Sequence, residues 1–232
     1  MSKNIPFLVV SIVILGSLFL KAEPNDSNYV FKSPRSLIGS QSTTSDLKYS
    51  AGGIVVITES GFGGGIYYDI RIHPKLALEF DMPITYLRAS DEIQVEVRDQ
   101  AGTGFEWKVP GKINRLYRIP ITAGLRYQLF SNSLAGNFKP YLTAGAGMGL
   151  ILQTPYQYEF FHSFNYLKSY AKPAIFAGIG ADFSGNSNRI SRVFVKYYYI
   201  PFGGDGIESV IGLPIKNCGG LFLGIDIGGG WK

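Results

Sequence analysis

Near the end of the chain, Leu221-Phe222-Leu223-Gly224-Ile225-Asp226-Ile227-Gly228-Gly229-Gly230-Trp231 repeats a pattern every second residue. Leu221, Leu223, Ile225, Ile227, Gly229 and Trp231 form one set, bulky and apolar apart from the glycine. Phe222, Gly224, Asp226, Gly228 and Gly230 form the other, mostly small and carrying one charge. Period two puts alternate side chains on opposite faces of a β-strand. One face suits hydrocarbon and ends in an aromatic ring. A soluble sandwich shows such a strand once; a membrane barrel has to repeat it until the sheet closes.

The chain upstream repeats it seven times. Segments begin at Lys48 (Ala51, Gly53, Val55 and Ile57 against Ile54 and Val56, so that its facing stays open) and Gly64 (Ile66, Tyr68, Ile70 and Ile72 against Tyr67, Asp69 and Arg71). The third begins at Leu76 (Leu78, Phe80, Met82, Ile84 and Tyr86 against Glu79, Asp81 and Thr85). The fourth sets Tyr117, Ile119, Ile121, Ala123, Leu125 and Tyr127 against Arg118, Thr122, Gly124 and Arg126. The fifth, from Lys139, sets Leu142, Ala144, Ala146, Met148 and Leu150 against Tyr141, Thr143, Gly145, Gly147 and Gly149. The sixth sets Ile175, Ala177, Ile179, Ala181 and Phe183 against Phe176, Gly178, Gly180 and Asp182. The seventh sets Val193, Val195, Tyr197 and Tyr199 against Phe194, Lys196 and Tyr198. A tilted strand crosses a bilayer in about 9–11 residues, and most segments reach that length. Connections at 73–75, 131–137 and 184–188 are short. Of the alternate connections, 59–63 is short, but 91–113, 153–170 and 202–217 are long. Short turns on one rim and long loops on the other form the outer-membrane pattern, in which the short rim is periplasmic.

Composition agrees. The chain has 29 Gly, 15 Tyr and 16 Phe in 232 residues, with only 17% charged, a mixture that favours strands and turns. Its single cysteine, Cys218, excludes an intrachain disulfide and a cysteine metal cluster. The net charge of +5 is scattered rather than gathered in a basic block, so nucleic-acid binding is not expected. Lys3, the sixteen mainly apolar residues 5–20 and Lys21-Ala22-Glu23-Pro24 read as a signal peptide over 1–22, cleaved after Ala22. The alternative, a retained anchor, is short of the roughly 20 residues that span a bilayer. A polar periplasmic leader is expected over 23–47 and the barrel over 48–232.

The apolar sets point to lipid and the mixed sets inward. Inward glycines on the fifth, sixth and eighth segments leave room for large neighbours. The inward charges Asp69, Arg71, Glu79, Asp81, Arg118, Arg126, Asp182, Lys196 and Asp226 are expected to form a lumenal network, because buried charges must pair. Asp69, Arg71, Glu79, Arg126 and Asp182 fall toward the periplasmic half. This set reads as a plug that fixes the barrel's shape, or as the lining of a gated ion path. An eight-stranded barrel is just wide enough for side chains to fill.

In the long loop 153–170, Tyr156, Tyr158, Phe160, Phe161, Phe164 and Tyr166 form a candidate surface-binding patch. The same residues also suit an interfacial girdle or strands continuing above the membrane. Glu159, His162 and Ser163 invite a hydrolase reading, but adjacent residues on a strand face opposite sides. His73 sits in a tight turn and finds no second histidine for a metal site. The glycine cluster 61–65 lacks the lysine and helix of a phosphate loop. Ile93, Val95 and Val97, then a turn over 99–104, then Phe105, Trp107 and Val109 predict a hairpin that extends the third and fourth strands. A bulge is expected over 88–92, and an exposed edge suited to strand addition.

The segments Arg118-Ile119-Pro120-Ile121-Thr122-Ala123-Gly124-Leu125-Arg126-Tyr127 and Lys139-Pro140-Tyr141-Leu142-Thr143-Ala144-Gly145-Ala146-Gly147 resemble the small eight-stranded outer-membrane barrel family, which includes the OmpA-like and OmpX-like barrels. The resemblance covers about residues 48–232. It implies an all-β, antiparallel, up-and-down transmembrane β-barrel in the Gram-negative outer membrane. The Trp231-Lys232 stretch departs from the family's usual final Phe, and no peptidoglycan-binding domain is expected with the barrel. The function expected is non-enzymatic: an envelope-supporting barrel, or one that meets a partner through loops two to four. A narrow channel for ions or small apolar molecules and a lipid-A-modifying enzyme are the alternatives. Expected partners are outer-membrane lipid, the barrel-assembly machinery and an envelope or extracellular protein. No cofactor or metal is expected, and the barrel is expected to be a monomer.

Overall fold

The computed structural model describes residues 47–98, 104–129, 138–183 and 188–232. The expected signal peptide and nearly all of the leader lie outside them. Eight strands cross the molecule: β1 (Tyr49–Thr58), β2 (Gly61–His73), β3 (Leu76–Leu87), β6 (Asn114–Gln128), β7 (Lys139–Pro155), β8 (Lys168–Asp182), β9 (Arg189–Tyr199) and β12 (Gly220–Trp231). They close into one barrel in the order β1-β12-β9-β8-β7-β6-β3-β2. Every neighbouring pair is antiparallel. The remaining strands form two small hairpins in the long loops, β4 (Val95–Arg98) with β5 (Phe105–Lys108) and β10 (Ile207–Glu208) with β11 (Pro214–Ile215).

Alternation sets the facing. In β12, Phe222, Gly224 and Asp226 are buried, while Leu221, Leu223, Ile225 and Ile227 are exposed on the outside. In β3, Ala77, Glu79, Asp81, Thr85 and Leu87 are buried and Phe80 and Ile84 exposed. The open facing of β1 resolves with Ile54 and Val56 inward and Val55 and Ile57 outward. Inward glycines make room for rings, as expected. A Cβ on Gly145 would collide with Phe176, one on Gly180 with Tyr141, and one on Gly224 with Phe194. Phe176, Tyr198 and Phe222 then pack in a row on the inner face of the adjacent strands β8, β9 and β12, with centroids 5.2 and 4.7 Å apart.

Two sequence expectations need correction. The hairpin β4–β5 forms, but as a separate two-stranded sheet, not as a bulged continuation of β3 and β6. Residues 88–94 break the strand before it starts. Its register also sets Glu96 against Trp107 and Arg98 against Phe105, while Val95 faces Lys108. Val95 and Val97 therefore lie on the opposite face from Phe105 and Trp107. Second, β8 begins at Lys168, well before Ile175, because it pairs with the long end of β7 as far as Gln153. The β2–β3 turn is short and β1 joins β2 through Glu59 and Ser60 alone. The other expected short turns lie largely outside the described residues.

The wall has one weak seam. Pairing of β3 with β6 stops after Asp81↔Thr122 and resumes at Thr85↔Arg118. The register places Pro83 opposite Pro120 in the gap. Neither ring nitrogen has a hydrogen to donate, so this rung of the ladder is lost. In lipid vesicles, amide hydrogen exchange in segments 80–87 and 117–123 is expected to run faster than in the facing stretches of β7 and β8. Equal protection in the two strand pairs would contradict the seam.

Candidate functional site: a filled lumen inside an apolar wall

Inward strand positions bring charges from six strands onto one axis. Arg192 of β9 is the hub: it pairs with Asp69 of β2, with Asp226 of β12 (3.1 Å) and, at longer range, with Asp182 of β8 (3.8 Å). Arg126 of β6 adds a second cation to Asp69 (3.2 Å), and the Ser50 hydroxyl donates to the same carboxylate (2.9 Å). One layer further in, Lys196 bridges Glu79 (3.1 Å) and Asp81, and the Thr143 hydroxyl donates to Glu79. Arg192 and Lys196 are 1% and 2% exposed. Cations also lie over rings: Arg192 on Tyr67 (4.2 Å), Arg126 on Tyr141 (5.3 Å), and Lys196 between Phe176 and Phe194 (5.1 and 4.9 Å). Arg126, Arg192 and Lys196 are thus each held by carboxylate on one side and an aromatic face on another, an arrangement that suits desolvated charge.

Of the nine charges expected in the network, eight gather in the half of the lumen nearer the short turns. Arg71 and Asp182 line a polar cleft of about 30 Å³ there with Asp69, Arg126 and Arg192. Arg118 does not join them. It is fully buried toward the long-loop rim, where its Nε donates to Thr85 (2.9 Å) and its Nη1 to the carbonyls of Cys218 (3.1 Å) and Gly219. Its guanidinium stacks 4.5 Å from the Phe222 centroid. Gly220 enters β12 here with φ +130°, and a Cβ at that position would strike Glu59. Arg192 itself was outside the sequence-derived set. The seventh segment as read from the sequence begins at Val193, one residue short of it, although Arg192 continues the inward series of Phe194 and Lys196.

The long loops form a structured rim. Glu92 pairs with Lys112 and accepts from the Ser209 hydroxyl (3.0 Å), while the Ser209 carbonyl accepts from the amides of Ile113 (2.8 Å) and Asn114 (3.1 Å). Burial alone would weaken the Lys112 ammonium, but hydrogen bonds to Glu92 and Tyr86 outweigh it and raise its pKa. The Lys112 ammonium is therefore charged at neutral pH, and it loses its proton, and with it the ion pair, in strongly alkaline solution. Glu59, Arg88, Asp91, Lys216 and Asn217 line a cup of about 320 Å³ at this rim. Cys218 lies in the loop just below. Burial pushes its thiol up to about 12, with Arg118 and Lys172 opposing.

The aromatic loop is neither a strand nor an unstructured patch. Phe160–Ser163 forms one helical turn, α1, followed by a 3-10 turn, Phe164–Tyr166. Tyr158 stacks on Tyr166 (4.6 Å), and His162 packs edge-on against both. Phe160 meets Phe161 and Phe164, and Tyr156 lies under Arg115. The Ser163 hydroxyl is buried and donates to the Phe160 carbonyl (2.7 Å). His162 thus packs among rings, while the Ser163 hydroxyl is engaged by the backbone. His73 Nδ1 accepts from the Lys75 amide (3.4 Å). Among the described residues, no cluster of His, Cys, Asp or Glu suits a metal ion.

The outside of the barrel is an apolar belt between two rings of aromatics. Near the short turns stand Tyr49, Tyr68, Tyr127, Phe138, Phe183 and Trp231; Trp231 packs on Tyr49 (6.2 Å) and Tyr68 (6.3 Å), and Phe138 on Phe183 (5.5 Å). Near the long loops stand Phe62, Tyr86, Tyr117, Tyr197 and Tyr199. Tyr117 and Tyr127 are ten residues apart on β6, roughly 33 Å along the strand. With the usual strand tilt of about 40°, the rings stand about 25 Å apart, the height of the lipid-facing band in such barrels. Ile66, Ile84, Ile121, Leu125, Ile175, Ile179 and Leu223 fill the belt and are all exposed. Hydrocarbon is the solvent that stabilises that surface.

The protein is a transmembrane β-barrel of the outer-membrane type.

No protein-family model matches the chain, and no curated protein matches it. Among solved structures, it is similar to the N-terminal β-barrel domain of OprF from Pseudomonas aeruginosa, at 10% identity over 79% of this chain and 96% of that one, with a TM-score of 0.43. It is similar to Neisserial surface protein A at 16% identity over 77% and 93%, with a TM-score of 0.41. It is also similar to Ail, the attachment invasion locus protein of Yersinia pestis, at 15% identity over 77% and 93%, with a TM-score of 0.33.

Arg192→Ala takes the cation away from Asp226 and Asp182 and leaves Asp69 with Arg126 alone, whereas Arg126→Ala leaves Asp69 paired with Arg192 and touches no other carboxylate of the hub. Removing the hub is expected to cost about 3–5 kcal/mol, so Arg192→Ala should unfold at distinctly lower urea than Arg126→Ala in lipid. Equal midpoints would contradict the hub. The buried, weakly acidic Cys218 should react with maleimide far more slowly in the folded barrel than after unfolding. Equal rates would show an open rim.

Proposed function

We propose that the protein is a non-enzymatic outer-membrane barrel whose filled interior fixes the wall and whose long loops present a contact surface outside the cell. The long-loop rim faces outward in this reading and the short-turn rim faces the periplasm, following the usual sorting of loop lengths. The observation that carries the proposal is the packed lumen. Between the polar cleft near the short turns and the cup at the opposite rim lie Arg192, Lys196, Phe176, Tyr198, Phe222 and Arg118, each at most 5% exposed. Arg192 and Lys196 meet carboxylates and rings, and Arg118 meets carbonyls, the Thr85 hydroxyl and a ring, so the space that a permeating ion needs is taken by side chains.

The outward surface offers ordered, apolar material for a protein of the envelope or the extracellular space. Phe105 and Trp107 on the β4–β5 hairpin are 71% and 65% exposed, and Ile211 of the fourth loop stands out beside them in type. Outer-membrane lipid and the assembly machinery are the other partners, and the barrel acts as a monomer. Purified protein in planar bilayers is expected to give no steady single-channel steps at either polarity. Regular steps that disappear on unfolding would replace this reading with a narrow channel.

A further inference from the structure

We propose that the aromatic loop is a foot standing in the membrane interface, holding the bilayer's headgroup zone rather than a soluble partner. The inference rests on the membrane placement of the barrel and goes beyond the contact surface assigned to the rim. It starts from β7. Ile151 faces inward, so Thr154, three residues on, faces outward. Yet Thr154 is fully buried. Something covers the outer wall at this height.

The neighbouring strand shows what covers it. Arg115 and Tyr117 share the outward set of β6 with Ile119 and Ile121, and Arg115 pairs directly with Thr154. Arg115 Nη1 donates to the carbonyls of Pro155 (3.2 Å) and Tyr158 (3.1 Å), and the guanidinium lies 4.6 Å from the Tyr156 centroid. Phe164 stacks on Tyr117 at 6.5 Å with 23° between the planes, and Tyr117 meets Tyr86 edge-on at 5.6 Å. The loop therefore folds down over the outside of β6 and β7 and does not stand above the mouth.

Tyr86 and Tyr117 belong to the aromatic ring at the upper border of the apolar belt. A loop stacked on them sits where hydrocarbon gives way to headgroups. On its far side it exposes Phe161 (86%), Phe160 (47%) and Leu167 (41%). Its own bonds hold it rigid: the Ser163 amide donates to the Glu159 carbonyl (2.9 Å), and Tyr158, His162 and Tyr166 pack together. A rigid cluster of apolar and amphipathic rings, continuous with the lipid-facing belt, is suited to the membrane interface, where aromatic side chains concentrate. The occupant of its exposed side is the surrounding lipid.

Tryptophan quenching in vesicles tests this. In the full chain with Trp107→Phe and Trp231→Phe, a single probe is placed by Phe161→Trp or, deep in the belt, by Ile121→Trp. The vesicles are phosphatidylcholine brominated either near the headgroup or near the bilayer centre. The Phe161→Trp emission is expected to be lost mainly with bromine near the headgroup and to resist aqueous iodide; Ile121→Trp is expected to be quenched mainly by the deeper bromine. If Phe161→Trp is quenched by iodide and untouched by either lipid while Ile121→Trp is quenched, the foot is wrong and the barrel stands. If Ile121→Trp is also untouched, the foot falls together with the membrane placement. Because Phe161 is almost wholly exposed, its replacement leaves the barrel's packing intact.

Discussion

Hydrocarbon offers a backbone amide no partner, and each unpaired one costs several kcal/mol there. A sheet placed in it has to close, and with eight strands it closes around an interior only as wide as its own side chains. That narrowness creates a second desolvation problem inside the first. Half the side chains of every strand are turned away from the lipid into a space that holds little water. The lumen of this protein solves it with charge pairs between strands: Arg192 of β9 binds a carboxylate of distant β2 and one of neighbouring β12, and Lys196 binds two of distant β3. The pairs from β9 to β2 and β3 tie the wall across the lumen, while those to Asp226 and Asp182 bridge adjacent staves. Where a charge has a single partner, as Asp226 has in Arg192, removing that partner leaves it buried and uncompensated.

Glycine and aromatic residues make the pairing geometrically feasible. A narrow barrel cannot hold a large side chain at every inward position. Gly145, Gly180 and Gly224 give up their volume to Phe176, Tyr141 and Phe194. The rings then serve as faces for the cations, so the polar and apolar fillings are one packing problem. Toward the long-loop rim the balance shifts. Arg118 finds carbonyl acceptors, a threonine and a ring in place of carboxylates, and its place in the fold is structural in a different way from that of Arg192.

The strand alternation was legible because each residue's face depends only on its neighbours' spacing. Leu221, Leu223, Ile225 and Ile227 against Phe222, Gly224 and Asp226 declared their sides without any tertiary knowledge. β1 stayed ambiguous because Ile54 and Val56 fill apolar parts of the lumen, so both its faces are hydrophobic. Height along the axis was less legible. Arg118 was grouped with the other charges because it points inward, but grouping also needs the stagger of the strands. The seam at Pro83 and Pro120 likewise needs the register, which no single strand contains. The aromatic loop was visible as composition only; its descent onto Tyr117 depends on stacking between residues 47 positions apart.

The central claim is a wall with oil on one face and a filled, water-poor interior on the other. Spin-label accessibility along β9 tests it most directly. Nitroxides are placed singly, in a Cys218→Ser background, at Val193, Phe194, Val195, Tyr197, Tyr198 and Tyr199 in bilayers. Labels at Val193, Val195, Tyr197 and Tyr199 should collide freely with oxygen dissolved in the lipid, while those at Phe194 and Tyr198 meet neither oxygen nor a water-soluble nickel chelate. Free access of the chelate to Phe194 and Tyr198, or the absence of any alternation, would contradict the account.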